Sequence, residues 1–496
     1  MEQAGATYRL VPATTRPLLA GVAVAGIVVV GAVFAAGPAM ITVALALLVW
    51  LRDPRPDSWR APIYLLACLL PVSTVLTLLF GAGAGEMGPV VAWSPLWREA
   101  MIFATIALAI VAAARRPLAL RAEDWCAVAL ALLVIAYATL GLGAQGHELG
   151  LFQRALGARA WLLPITLYVL GRFAPISDDA RARDLTLLQR LTVLVTLTAF
   201  LEFFLLGDRF WQQLRFADFL RATGTSESAI FRGVTFNYYT LDQHGLPIRR
   251  WPAFMGTLSV GFWYLGALAV LFTGFWAQPR RRHQGLFLVA TIALIGSRTR
   301  AAMGGLLIAA ACALLIRWRK RRWIAATAAA MVVGLVALNV RPELARDIAV
   351  ALSLPVDLSA LGHIAAIIHG VQTILAHPLG FGVGSAGYVG AGFAAQGEAV
   401  VGESIYLSLA SELGWLGAAL WIAWTGIAAF RLGRYALARS ARDDRWVLCA
   451  GLAVATVGYA IASVTTEVWR GLQAGGLYWW LLGTAVSTAN HIDHER

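Results

Sequence analysis

The chain reads as an all-α integral membrane protein with roughly 12–14 transmembrane helices. Three features predict this. Of its 496 residues 59% are hydrophobic and 14% charged, with a mean hydropathy of +0.70, which excludes an ordinary soluble enzyme. Apolar runs near the ~20 residues needed to cross hydrocarbon recur along its length. Every second connection between those runs is strongly basic, and the two long polar connections fall among the others.

In chain order the runs occupy 17–36, 38–51, 61–81, 99–114, 124–142, 157–171, 187–206, 252–276, 284–296, 301–316, 323–340, 405–430, 446–465 and 473–489. Several are short, and re-entrant segments would lower the count of roughly 14 to about 12. Arg52, Arg55 and Arg60 follow the second run, Arg115, Arg116 and Arg121 the fourth, and Arg172, Arg181 and Arg183 the sixth. Arg280–Arg282, Arg317–Arg322 (with Lys320) and Arg431–Arg442 continue the alternation. Short loops rich in Arg and Lys stay in the cytoplasm, so both termini are expected inside and both long loops outside. Cytoplasmic anchoring also accounts for the net charge of +13 and the pI of 10.2, so nucleic acid is not an expected partner; the bilayer is.

Cys68, Cys126, Cys312 and Cys449 all lie in apolar runs, which argues against a disulfide framework or a thiolate metal site. The first run is followed at once by a second with basic residues after it, so it is read as a span rather than a cleavable signal peptide. With no internal repeat or polar domain, residues 1–496 read as one polytopic membrane domain.

The long loops, 207–251 and 341–402, are where function is expected, because extended polar loops in so apolar a chain need a surface role. The first carries Arg232, Tyr238, Tyr239, Asp242, His244, Arg249 and Arg250, a mixture that suits sugar hydroxyls or lipid headgroups. In the second, an amphipathic interfacial helix is predicted over 363–376, with Ile364, Ile367, Ile368, Val371, Ile374 and Leu375 on one face. His363 borders that face while His369, Gln372 and Thr373 lie opposite, so a paired-histidine metal site is not expected.

Three short motifs stand at the outer ends of spans. Ser297-Arg298-Thr299-Arg300 puts two arginines on an outer turn, against the charge rule, which points to an anionic ligand. The glycines of His377-Pro378-Leu379-Gly380-Phe381-Gly382-Val383-Gly384-Ser385-Ala386-Gly387 allow a sharp turn able to offer N–H groups to phosphate. Glu403, at the mouth of the 405–430 span, is placed to meet substrate; Glu412, more than two turns deeper, is read as a helix–helix hydrogen-bonding group.

At these residues the chain resembles the bacterial O-antigen ligase and polymerase superfamily, polytopic glycosyltransferases that use undecaprenyl-diphosphate-linked glycans at the outer face of the cytoplasmic membrane. The likeness rests on Ser297-Arg298-Thr299-Arg300, on the His377–Gly384 turn and on Glu412-Leu413-Gly414-Trp415-Leu416-Gly417, and covers about residues 230 to 430. It implies a GT-C-like fold and metal-independent transfer without a cofactor. Arg298 and Arg300 match the family's outer arginines and would hold the pyrophosphate, with Arg249 or Arg250 adding another guanidinium. Glu403 stands where ligases of the family place a His, and His363 where they often have an Arg, so the acid–base role is expected at Glu403 or His363. His369, Gly382, Gly384 and Tyr406 are the expected substrate contacts. The implied activity is polymerisation of lipid-linked repeats in the inner membrane, with a glycan acceptor and a chain-length regulator as partners. The alternatives are ligation of the finished chain to lipid A-core or another acceptor, and non-catalytic transport of the lipid-linked glycan.

Overall fold

A computed structural model describes residues 60–84, 98, 101–102, 105–106, 120–173, 177–223, 225, 227–241, 246–277, 281–318, 358–393, 402, 404–439 and 443–493. The predicted spans 17–36, 38–51 and 323–340, most of 99–114, and Asp242, His244 and Glu403 lie outside them, as does the side chain of His363. All ten remaining predicted spans are helical. They form α1 (Ala61–Leu69) with α2 (Ser73–Ala84), α3 (Ala122–Leu140), α4 (Leu151–Phe173), α5 (Asp178–Phe200), α8 (Thr257–Ala277), α9 (Arg281–Ser297), α10 (Arg300–Arg317), α13 (Ile405–Ala438), α14 (Asp444–Ala462) and α15 (Leu472–Asp493). Seven candidate spans among the described residues are long and apolar enough to cross a membrane, and the protein is a multi-pass, mostly helical membrane protein.

Close backbone approach, which small residues permit, sets the packing. Gly171 of α4 and Gly483 of α15 each face the other helix's carbonyl chain so closely that a Cβ would lie 2.0 Å from Trp480 O and Tyr168 O, respectively. Gly305 of α10 and Gly458 of α14 meet the same way, with a Cβ at either one 2.6–2.8 Å from the other's carbonyl oxygen. α8 and α14 occupy the interior, and apolar faces of α3, α9 and α10 remain exposed at Leu132, Leu288 and Leu307, as suits contact with lipid.

Ion pairs join the basic connections that follow the second, fourth, sixth and twelfth runs. Three of their arginines do more than anchor the chain. Arg60 binds Asp184 (2.6 Å) with its guanidinium 4.9 Å from the Trp480 ring, Arg172 binds Asp124 (3.0 Å), and Arg431 binds Glu123 (2.9 Å). The carboxylates are buried, so each arginine offsets a desolvated charge that would otherwise cost several kcal/mol, of order 3–5.

The first long loop adds a little strand to this mostly helical architecture, and the second adds helix. The first loop folds as α6 (Gly207–Gln213), α7 (Phe216–Ala222) and two small antiparallel hairpins, β1 (Ile230–Phe231) with β2 (Val234–Thr235) and β3 (Tyr239–Leu241) with β4 (Pro247–Arg249). Trp211, Phe216, Leu220, Val234 and Tyr238 form its own core with Leu78 and Phe254. Strands of two or three residues are too short for alternation to show in the sequence, so the hairpins are not predicted from it. In the second loop the predicted helix appears as α11 (Leu358–Ala376), followed by α12 (Gly387–Phe393). Ile367, Val371 and Ile374 of α11 pack on Leu407, Ala410 and Ala418 of α13, so its apolar face is met by protein, while Leu375 stays exposed.

Candidate functional site

The Ser297–Arg300 turn joins α9 to α10. Ser297 Oγ donates to Leu294 O (2.7 Å) and lies 3.2 Å from Thr299 Oγ1, and both residues are buried. Thr299 packs where Gly261 of α8 lacks a side chain, since a Cβ there would lie 2.5 Å from it. With the hydroxyl residues held inside, the alternating arginines point out. Arg298 and Arg300 are exposed, and Arg298 adopts a left-handed backbone (φ 51°) that non-glycine residues rarely take. Trp251 closes the turn from the other side, its N–H donating to Gly296 O (3.2 Å) and its ring filling the space a Cβ of Gly296 would need.

Arg249, expected beside these arginines, is engaged elsewhere. Its Nη1 lies 2.7 Å from Asp208 Oδ1 and its Nη2 3.6 Å from Glu202 Oε1. Glu202, in a π-helical segment Leu201–Leu206, also accepts from Trp211 Nε1 and from Phe254 N, each at 2.6 Å. Tyr239 donates to Asp208, and burial first, then that hydrogen bond, pushes the Tyr239 phenol up to about 12. Arg249 thus fastens the folded loop to the bundle. Arg250 is half-buried and donates its backbone N–H to Tyr238 O (2.8 Å).

The glycine turn enters a break in α13. At Gly414 the helix departs to φ 69°, ψ −176°, so the carbonyls of Ser411 and Glu412 lose their usual partners one turn on. Phe381 N (2.6 Å) and Gly382 N (3.2 Å) donate to them instead, while Trp415 N donates to Pro378 O (3.2 Å). A helix broken inside a membrane protein needs this repair of its backbone polar groups. Gly382 and Gly384, expected to meet substrate, are buried against Gly146 and Gln153, where their missing side chains let backbones touch. Their amides serve the break and the carboxylate beneath it more than an open phosphate cradle.

Beneath that turn lies a charged centre that only the fold reveals. Glu412 is fully buried and accepts from Trp161 Nε1 (2.5 Å) and Ala386 N (3.2 Å). Glu467 accepts from Ser408 Oγ and from Arg470 Nη2, and the Arg470 guanidinium stands 4.3 Å from the Trp161 ring. Ser404, Ser408, Ser411 and Glu412, spaced by three or four residues or adjacent, make one polar stripe along the first turns of α13. Trp421 and Trp469 complete the surroundings, Trp421 edge-on to Trp161 and Trp469, and Trp469 stacked on Tyr459 and Trp479.

Glu467 and Arg470 are absent from the sequence-based candidates. The signal was there: Arg470 sits in a connection read as outer, the argument applied to Arg298 but not to it. Of the other expected contacts, Tyr406 donates to Ala460 O (2.7 Å) and ties α13 to α14, and His369 is exposed on α11. No protein-family model matches the chain, and no curated protein matches it in sequence. What fold and site define is therefore a class, a multi-pass helical membrane protein with an exposed arginine turn and a buried acidic centre at one end.

Proposed function

We propose that this chain is a membrane glycosyltransferase that joins undecaprenyl-diphosphate-linked oligosaccharide repeats into a surface polysaccharide at the outer face of a bacterial inner membrane. The observation that carries this reading is the Ser297–Arg300 turn, where buried hydroxyls hold two guanidiniums outward. A diphosphate leaving group concentrates charge on a few oxygens as its bond to sugar breaks, and paired guanidiniums stabilise it. In this reading the growing chain on its diphosphate is the donor. A hydroxyl of the incoming repeat attacks the anomeric carbon, the bond from that carbon to the phosphate oxygen breaks, and the hydroxyl proton leaves to a base, for which Glu403 and His363 are the candidates. The folded loop fastened by Arg249 and helix α11 border the same end and support a covered glycan path. A chain-length regulator is the expected protein partner.

The test is the size profile of surface and lipid-linked glycans in a deletion strain complemented with the native chain or with Arg298→Ala. The reading expects long chains with the former and single repeats with the latter, at equal amounts of folded protein. Full-length chains from Arg298→Ala would overturn the pyrophosphate assignment. Long chains stranded on the lipid diphosphate in the deletion strain would mean a ligase, and repeats trapped on the inner leaflet a transporter.

A further inference from the structure

The centre beneath the glycine turn has hydrogen-bonding capacity left over. Arg470 spends Nη2 on Glu467 and its planar face on Trp161, yet its Nη1 has no hydrogen-bond partner although the side chain is 5% exposed. Ser411 Oγ and the indole nitrogens of Trp421 and Trp469, all buried, are likewise without partners. Buried polar atoms normally find partners, because an orphan forfeits its hydration for nothing. Four such groups around one ion pair point to a ligand that supplies the missing acceptors.

Charge decides the ligand's class. The centre holds two carboxylates, Glu412 and Glu467, against one guanidinium, Arg470, so a phosphate or carboxylate ligand would meet net repulsion. Unspent N–H and O–H donors, carboxylate acceptors and indole faces together are what a sugar ring uses: hydroxyls that donate and accept, and a C–H face that packs on an aromatic ring. The ion pair is covered by α12. This seven-residue helix begins at Gly387, where a Cβ would lie 2.3 Å from Glu467 Oε2 and 2.5 Å from Arg470 Nη2, so it lies directly over the ion pair.

We infer that Glu467, Arg470, Glu412 and Ser411, roofed by α12, form a subsite for an uncharged sugar ring of the glycan, built from residues other than those of the Arg298–Arg300 anion site. The inference rests on the glycosyl-transfer reading. It divides the labour at this end of the bundle, with exposed arginines for the diphosphate and the buried centre for the saccharide. Lifting α12 uncovers the pair, and a bound ring satisfies the orphaned donors.

The experiment uses the full chain in detergent micelles and two probes in calorimetric titration. One is the oligosaccharide freed by mild acid from the producing strain's own lipid-linked repeat, the other inorganic pyrophosphate. Arg470→Ala would strand Glu467, so the variants are Arg470→Lys, which keeps the ion pair but loses the fork, and Ser411→Ala. Each is expected to weaken saccharide binding about tenfold, the loss of roughly one hydrogen bond, with Tm and pyrophosphate binding unchanged. The inference is overturned if the native chain does not bind the saccharide. It also falls if both variants bind it as the native chain does, if binding drops only together with Tm, or if pyrophosphate binding drops in parallel. Failure of the polymerase reading shows separately, as unaltered chain length with Arg298→Ala, and saccharide binding that depends on Arg470 would survive it.

Discussion

Arg298 and Arg470 stand at the same end of the bundle and differ in what balances them. Arg470 is buried, paired with Glu467 and laid on Trp161; Arg298 is exposed on a strained turn whose hydroxyls are spent holding it there. Arg249 falls with the first kind, its charge met by Asp208 and Glu202. One residue type thus does two jobs, and burial with a carboxylate separates them. A matched, desolvated arginine holds structure through the part of its guanidinium that is paired, whereas an exposed one keeps its whole charge available to something anionic.

That contrast can be broken by substitution. Arg470→Ala should be the most damaging change, costing about 3–5 kcal/mol by leaving a buried carboxylate unpaired, read as loss of folded protein and a lowered Tm. Normal folding of that variant would erase the distinction between the two arginines. Arg298→Ala should leave Tm where it is and lower the rate of transfer by about 10²-fold, the scale of losing one charged group at a developing anion. A fall in Tm equal to that of Arg470→Ala would put Arg298 in the structural class.

Gly414→Ala sharpens the comparison from the backbone side. Its left-handed φ of 69° and a Cβ 2.6 Å from Pro378 O should together cost about 2 kcal/mol or more and loosen the glycine turn, visible as faster amide exchange at Phe381 and Gly382. Unchanged exchange there would mean that the turn does not depend on the break. The smallest effect is expected at Arg221, whose partners Asp218 and Glu227 are open to water: Arg221→Ala should leave Tm unchanged. A clear drop in Tm would show the folded loop to be held by its rim rather than by Trp211 and its neighbours.

Much of this was legible in the chain. The apolar runs among the described residues became helices, and the Ser297–Arg300 turn fell between α9 and α10 where the spans predicted it. The face of Ile367, Val371 and Ile374 on α11 was correct, though its partner proved to be α13. The hairpins of 207–251 were missed because their strands, two or three residues each, are too short for alternation to register. Gly382 and Gly384 looked like a ligand loop because nothing local reveals that a helix break near Gly414 would claim the turn's amides.

The sequence by itself determined which segments are helices, which ends of them carry positive charge and where arginines violate that pattern, because hydropathy and charge act over the length of a single span. The tertiary structure alone decided that Trp161 meets Glu412 from 251 residues away and that Ser408 meets Glu467 from 59 residues away. Such pairings depend on how closely glycine-bearing helices approach and on where a distant turn can repair a broken helix. Neither is a property of any one segment.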